Sequence, residues 1–223
     1  MARFGINVAS ALGVSVTDLR AIARKLGKDH ALARRLWATG VHEARILPAF
    51  VDAPEMVTEA QADRWIRAFD SWDLCDQVCT SLFQRTPFAF AKAAEWAGRE
   101  REFEKRAGFA LMAALAVHRK DARDEAFVGL LRLVEEAAGD PRNFVKKSVN
   151  WALRQIGKRS ARLRRAALAA ARRIRRQPTA SARWIASDAI RELERPARLL
   201  RTAPRNRPLR GAAAARRRER RPR

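Results

Sequence analysis

Signals that start and stop helices recur at short intervals along this 223-residue chain, and no stretch shows the alternating pattern or the Asn-Gly turn of a β-hairpin. Glycine or proline interrupts the helical periodicity at Gly40, Pro54, Pro87, Gly139-Asp140-Pro141 and Pro178. Short connections between helices of this length force neighbouring helices to pack as antiparallel pairs. The sequence therefore predicts an all-α protein. Its first helix is capped by Ser15 or Thr17 and runs to about Gly27, and further helices lie near 29–38, 41–51, 58–68, 71–84, 86–97, 100–118, 123–138, 141–157, 160–176 and 179–194.

One internal echo indicates a repeat. FEKRA, from Phe103 to Ala107, recurs as FVKKS, from Phe144 to Ser148, with an offset of 41 residues. This offset lies within the period of about 40–47 residues of two-helix HEAT-type units. Such units stack into a curved solenoid with a concave binding surface. We therefore predict a HEAT-like α-α superhelix over residues 1–194.

The net charge of +23 is concentrated in the C-terminal third of the chain. Residues 1–140 hold 20 basic and 20 acidic residues, whereas residues 141–176 hold 13 basic and no acidic ones. Residues 195–223 hold 12 arginines against one glutamate, and we predict a disordered tail that binds phosphates without sequence preference. This layout is typical of a protein that binds a polyanion. The alternative is a solvated helix face followed by a basic tail.

Several classes of protein are disfavoured by the sequence. No run of about 18 apolar residues predicts a membrane span, and the N-terminus lacks the apolar core of a secretory signal. Two cysteines, Cys75 and Cys79, fit a reducing cytoplasm better than a disulfide framework. A structural zinc would need four ligands. We therefore expect a cytoplasmic protein without a metal or another cofactor.

An acidic, aromatic segment, FDSWDLCDQVC, stands out in this basic chain. On a helix, Leu74, Val78 and Leu82 share one face, which we assign to the core. Trp72 and Asp76 are one turn apart on another face, so the ring and the carboxylate point the same way. The plain alternative is a partly buried core aromatic beside a surface ion pair.

A second tryptophan stands among cations. In the helix over 141–157, the core face reads Val145, Val149, Ala152, Leu153 and Ile156, and the opposite stripe carries Trp151. Tryptophan among lysine and arginine suits a surface that grips phosphate and packs on a sugar or base. The alternatives are a ring covered by a neighbouring helix or an incidental cation–π contact. The predicted phosphate contacts are Lys146, Lys147, Arg154, Lys158 and Arg159.

A carboxylate in a DNA-binding groove repels phosphate, so binding alone gains nothing from Asp76. A carboxylate at this position is useful if positive charge develops on the ligand. Cleavage of an N-glycosidic bond passes through an oxocarbenium-like sugar, which a fixed carboxylate stabilises more than the ground state. The same carboxylate could orient the attacking water.

The segments SWDLCDQVC, KRAGFALMAALAVH and NFVKKSVNWALRQIGKR resemble the AlkD-like DNA alkylation repair family, the HEAT-like repeat DNA glycosylases. ALGVSVTDLR, GVHEARILPAFVDAP and ARWIASDAIREL also read like the flanking segments of that family. The resemblance covers roughly residues 4–194. Family members usually have further helices before the segment that matches MARFGI, so we expect this chain to lack an N-terminal helical hairpin.

The resemblance implies an all-α HEAT-like solenoid that holds double-stranded DNA in a basic concave cleft. It also implies a monofunctional glycosylase that excises N3- and N7-alkylated purines. These bases are already cationic and leave as neutral molecules, so no general acid is needed. Carried over by the resemblance, Asp76 is the catalytic carboxylate, Trp72 and Trp151 flank the deoxyribose, and Arg106 lies near the DNA backbone. We expect a monomer.

Two other functions stay open at this point. The superfamily includes members that bind DNA structures without glycosylase activity, so a non-catalytic protein for branched, damaged or non-specific nucleic acid is the first alternative. A helical scaffold for acidic proteins is the second. Fold-level analogy alone does not separate these functions.

Overall fold

The structure, a computed structural model, describes residues 2–195 and contains α-helices and two short 3-10 turns, but no strand, within that range. The all-α prediction is therefore confirmed. The tail predicted over 195–223 lies outside the described residues except for Arg195. The helices are α1 (Val16–Leu26), α2 (His30–Ala38), α3 (His42–Ile46), α4 (Pro48–Val51), α5 (Glu59–Arg67), α6 (Trp72–Ser81), α7 (Ala89–Ala97), α8 (Glu102–His118), α9 (Glu125–Ala137), α10 (Asn143–Arg159), α11 (Ala161–Ile174) and α12 (Ala180–Leu193).

Short polar side chains begin several of these helices. The hydroxyl of Ser15 accepts a hydrogen bond from the backbone N–H of Asp18 at 3.2 Å, so Ser15 and not Thr17 caps α1. Thr58 and Ser160 cap α5 and α11 in the same way. Each cap satisfies a backbone N–H that has no partner inside its own helix. Gly27 follows α1 with a φ of 73°, a conformation that glycine adopts without strain.

Two predicted helices depart most from the structure. The helix expected over 41–51 is divided into α3 and α4, because Pro48 occupies the first turn of α4 and has no N–H to continue the ladder. The helix expected over 71–84 ends at Ser81, and a 3-10 turn follows at Phe83–Arg85.

The helices pack in two rows. In the front row, α6 packs against α8, α8 against α10, and α10 against α12. In the back row, α7 lies behind α8, and α9 and α11 lie behind α10. Helix α8 is at the centre, and every residue from Ala107 to Ala116 is buried. This explains the uniformly apolar sequence of that stretch, since a helix segment that is covered on several sides has no need of a polar face.

The predicted core faces match the structure. Leu74, Val78 and Leu82 are fully buried beneath α6. The five apolar positions predicted for the core of α10 are fully buried as well. The sequence echo corresponds to α8 and α10, which have 17 residues each and place Phe103 and Phe144 at their second positions, with ring centroids 5.6 Å apart.

Gly108 lets α8 approach α7 closely. A Cβ at this position would lie 2.4 Å from the backbone nitrogen of Ala97 and 2.9 Å from the carbonyl oxygen of Ala93. Both atoms belong to the backbone, so the two helices would have to separate.

We expect Gly108→Ala to lower the free energy of unfolding by about 2 kcal/mol, because the gain in helix propensity is smaller than the cost of overpacking. Gly129→Ala is the matched control, since Gly129 lies in α9 with no atom within 4 Å of the added carbon. That control should raise the stability by up to about 1 kcal/mol. Urea denaturation measures both, and equal effects of the two substitutions would contradict the close approach.

Candidate functional site

A cleft of about 340 Å³ opens between the first turn of α6 and the facing turns of α8 and α10. Trp72 is the first residue of α6, and Asp76 follows one turn later. The spacing of four residues puts both side chains on the same face, as predicted. The residues that line the cleft are Phe4, Trp72, Asp76, Arg106, Phe144, Lys147 and Trp151.

Asp76 is held by Arg106. The guanidinium donates from Nε to Oδ1 of Asp76 at 3.0 Å and from Nη2 to Oδ2 at 2.8 Å. Its Nη1 donates to the backbone carbonyl of Phe144 at 2.7 Å. Two parallel N–H···O bonds fix the plane of the carboxylate as well as its position. One arginine of α8 thus connects α6 to α10 and orients the only carboxylate among the residues that line this cleft.

Burial and the neighbouring positive charge have opposite effects on the pKa of Asp76. The side chain of Asp76 is 16% exposed and that of Arg106 is 6% exposed. Burial raises the pKa of the Asp76 carboxyl above its ordinary value, and the Arg106 guanidinium opposes that rise. Since both carboxylate oxygens accept an N–H, the geometry is that of the ionised form.

The remaining walls of the cleft are aromatic and cationic. Trp151 is half-buried on α10, and Lys147 is exposed one turn before it. On the other side, the indole Nε1 of Trp72 donates to the carbonyl of Phe4 at 2.8 Å. Phe4 itself is 60% exposed at the rim. The two tryptophans predicted from the sequence therefore line the same cleft as the carboxylate.

The other predicted cations of α10 are not in this cleft. The side chain of Arg154 is bonded to Glu192 at 2.5 Å and lies 3.4 Å from Asp188. Lys158 donates to the same Glu192 at 2.7 Å. The ammonium of Lys146 lies 5.2 Å from the ring centre of Trp184. These three side chains connect α10 to α12, so the predicted phosphate-binding stripe is divided.

Arg159 occupies a structural position. Its side chain is 7% exposed, and its guanidinium lies over the ring of Phe127, with 4.5 Å between Cζ and the ring centre. It donates to the carbonyl of Ala116 at 3.2 Å and also to the carbonyl of Ala122. We expected a phosphate contact here, but the guanidinium instead supports the segment that follows α8.

Three features of the site did not come from the residue pattern. The bond from Arg106 to Asp76 crosses 30 residues, and the family resemblance had pointed to the DNA backbone. The sequence does single out Phe144, because this residue opens the repeated FVKKS segment, but its place in the cleft depends on how α8 and α10 pack. No sequence feature points to Phe4, because it lies in a short 3-10 turn far from α6 in sequence.

Neither cysteine faces the cleft. The Cys75 thiol donates to the carbonyl of Phe103 and the Cys79 thiol to that of Ala107, and both side chains are fully buried. Burial raises the pKa of Cys75 well above its ordinary value, which makes it a poor nucleophile. Among residues 2–195 there is no group of three potential metal-binding side chains, and no helix there is long and apolar enough to cross a membrane.

A family model described as "DNA alkylation repair enzyme" matches residues 1–193. The chain belongs to the DNA alkylation repair enzyme family. The match covers all of the residues that form the cleft around Asp76. The family resemblance stated from the sequence is thereby confirmed.

The fold of this DNA alkylation repair family member is similar to a solved structure described as "A new family of proteins related to the HEAT-like repeat DNA glycosylases with affinity for branched DNA structures". The TM-score is 0.71, the sequence identity is 21%, and the match covers 85% of this chain and 86% of the other. The HEAT-like prediction is therefore confirmed at the level of the fold. No curated protein matches this chain.

We expect Arg106→Gln to lower the free energy of unfolding by about 3–5 kcal/mol, because it leaves the buried Asp76 carboxylate without its partner. Asp76→Asn in the same chain should restore part of that loss, since no unpaired charge then remains. Denaturant unfolding of the wild type, the two single variants and the double variant gives the coupling energy.

Arg132→Gln is the control, because the side chain of Arg132 is 85% exposed and forms only a surface ion pair with Glu136. Its cost should stay below about 1 kcal/mol. Additive effects of the Asp76 and Arg106 substitutions would show that the pair contributes no coupling.

Proposed function

We propose that this protein is a DNA glycosylase that hydrolyses the N-glycosidic bond of cationic N3- and N7-alkylated purines in double-stranded DNA, without a cofactor. One observation carries the proposal. A single carboxylate, Asp76, is held by a bidentate arginine and faces a cleft between Trp72 and Trp151. Membership of the DNA alkylation repair family supports the same substrate.

The reaction needs little acid catalysis. When the bond between C1′ and the purine nitrogen breaks, its electron pair goes to the base and neutralises the positive charge of the alkylated ring. The deoxyribose becomes oxocarbenium-like, and the nearby Asp76 carboxylate stabilises that charge. Water then adds to C1′ and releases a proton to the solvent or to the carboxylate. The products are a neutral alkylated base and an abasic site.

Arg106 leaves part of the hydrogen-bonding capacity of the Asp76 carboxylate free. Each carboxylate oxygen offers two lone pairs, and Arg106 occupies one on each oxygen. The others can accept hydrogen bonds from a water molecule or lie against the sugar. We assign Arg106 a positioning role, because it holds the carboxylate in one plane before the substrate arrives.

The walls of the cleft suit a nucleotide. Trp72 and Trp151 offer flat apolar surfaces to the deoxyribose and base, and the exposed Lys147 is placed to contact a phosphate. Arg154 and Lys158 could contribute only by exchanging Glu192 for DNA, and Lys146 by leaving Trp184. We therefore rank Lys147 first among the predicted phosphate contacts.

A second function has specific support. The similar solved structure is described as having affinity for branched DNA. In this chain, Arg106 neutralises most of the charge of Asp76, and Lys147 leaves the cleft net positive. Such a cleft can bind DNA without chemistry. Measurement of base release separates the two functions.

We expect Asp76→Asn to reduce the release of free base from duplex DNA containing N7-methylguanine by at least about a hundredfold, since it removes the charge that stabilises the sugar cation. Binding to undamaged duplex should stay the same or tighten, because a negative charge leaves the cleft.

Asp73→Asn is the matched control on the same helix. The Asp73 carboxylate accepts a hydrogen bond from His42, at 2.9 Å, and does not line the cleft. The rate of base release per folded molecule of Asp73→Asn should equal that of the wild type. If the wild type binds a four-way DNA junction but releases no base, the branched-DNA function replaces the glycosylase.

The pH profile gives an independent test. The ionised carboxylate is the active form, and burial raises the pKa of Asp76, so base release should fall on acidification at a pH above the value of about 3.9 for a free aspartate. A raised folded-state pKa favours the protonated form in the fold, so protonation of Asp76 does not itself unfold the protein. Single-turnover rates of base release give the profile, after subtraction of the depurination that occurs without protein. Circular dichroism at each pH checks that the protein stays folded. An acid limb at or below the ordinary aspartate value would contradict the assignment.

A further inference from the structure

A second pocket, of about 450 Å³, lies between α1, α4 and the end of α6. Four of its nine lining residues are cations, Arg20, Arg24, Lys28 and Arg85, and none carries a carboxylate. The others are small or apolar, with Phe50 as the one aromatic ring. No part of the chemistry proposed for Asp76 uses this pocket.

Two of the four cations have no counter-charge in the part of the chain that the structure describes. The side chains of Arg24 and Arg85 are exposed and make no hydrogen bond or ion pair within residues 2–195. The other two are held in place. Arg20 lies over the ring of Phe50, with 5.3 Å between Cζ and the ring centre, and donates to the side-chain oxygen of Gln77 at 3.3 Å.

Lys28 shows the effect of this concentration of charge. Its ammonium donates to the carbonyls of Phe50 at 3.0 Å and Asp52 at 2.7 Å, so it stays in the pocket. Burial lowers the pKa of Lys28 and the nearby Arg85 guanidinium lowers it further, while the Asp52 and Glu55 carboxylates offset only part of that fall. The positive charges are therefore incompletely compensated by the protein, and a bound anion would relieve their repulsion.

The pocket and the Asp76 cleft lie on different flanks of α6. Asp76 and Gln77 project about 100° apart around the helix axis, and Thr80 projects between them. Asp76 faces α8 and bonds Arg106, whereas Gln77 faces α1 and bonds Arg20. A helix with its side chains is about 10–12 Å wide. The distance across the helix is therefore at most about three nucleotides of one DNA strand, which rises about 3.4 Å per nucleotide.

We propose that the pocket formed by Arg20, Arg24, Lys28 and Arg85 binds backbone phosphates of the same DNA whose damaged nucleotide enters the Asp76 cleft. The DNA thus straddles α6, with the cleft on one flank and the phosphate pocket on the other. Arg24 and Arg85 supply the unpaired charge, while Arg20 and Lys28 shape the pocket. The inference rests on the DNA substrate of the proposed function but not on base excision.

The experiment compares the wild type with the double variant Arg24→Ser/Arg85→Ser. Binding to a fluorescently labelled, undamaged duplex is measured by anisotropy between 50 and 300 mM salt. We expect the affinity of the double variant to fall about tenfold at 150 mM salt. The plot of log K against log salt should lose about one to two units of slope, since each lost phosphate contact removes about 0.9. Both arginines are exposed, so the fold should be retained, and circular dichroism melting checks this.

The matched control is Arg123→Ser/Arg132→Ser, which removes the same charge. Both side chains are exposed, at 86% and 85%, and belong to the back row around α9. The control should bind DNA like the wild type. Equal losses in the two double variants would mean that only net charge matters and would overturn the proposal.

A second arm separates DNA from a free anion. Inorganic phosphate is added to the wild type and to Arg24→Ser/Arg85→Ser, and the melting temperature is followed. If phosphate stabilises only the wild type while both proteins show the same DNA salt slope, the pocket serves a free anion and the proposal is overturned. Because binding to undamaged DNA is the readout, a protein that releases no base still gives a decisive result.

Discussion

The pair between Asp76 and Arg106 is the interaction on which the rest of this structure depends. Arg106 gives two hydrogen bonds to a carboxylate of α6 and a third to a carbonyl of α10, so one side chain joins three helices of the front row. Both partners are largely buried, and a buried charge without its partner is strongly destabilising. The same bonds fix the plane of the carboxylate. One ion pair therefore contributes both to the packing of three front-row helices and to the geometry of the candidate site.

Several positive charges of this protein connect helices to one another. Fewer of them are therefore available to DNA than the net charge of +23 suggests. In α10, Arg154 and Lys158 reach Glu192 of α12, and Arg159 lies inside the structure on backbone carbonyls. These cations connect neighbouring helices of the repeat. Lys147 at the cleft, with Arg24 and Arg85 on the other flank of α6, carries positive charge that the described part of the chain leaves without a counter-ion. The surface available to DNA is thus better described by unpaired cations than by net charge.

The site and the comparisons limit the function in different ways. Family membership indicates DNA alkylation repair, and the similar structure, whose own description gives it affinity for branched DNA, indicates a HEAT-like fold. Neither decides between chemistry and binding. The physical argument for chemistry is the position of Asp76, because a carboxylate in the cleft can stabilise positive charge that develops on the sugar in the transition state. The bidentate arginine keeps that carboxylate oriented while leaving lone pairs on both oxygens.

The sequence by itself determined the helical class, most helix ends and the core faces of α6 and α10, because periodicity, caps and prolines act within a few residues of one another. It also predicted that Trp72 and Asp76 share a face of α6, and both residues line one cleft with Trp151. Only the tertiary structure decided that Arg106 binds Asp76, that Glu192 takes up two of the predicted DNA-binding cations, and that Phe4 lies at the rim of the cleft. These contacts join residues 30 or more positions apart. Their partners depend on which helices become neighbours, and that is a property of the packed rows rather than of any local segment.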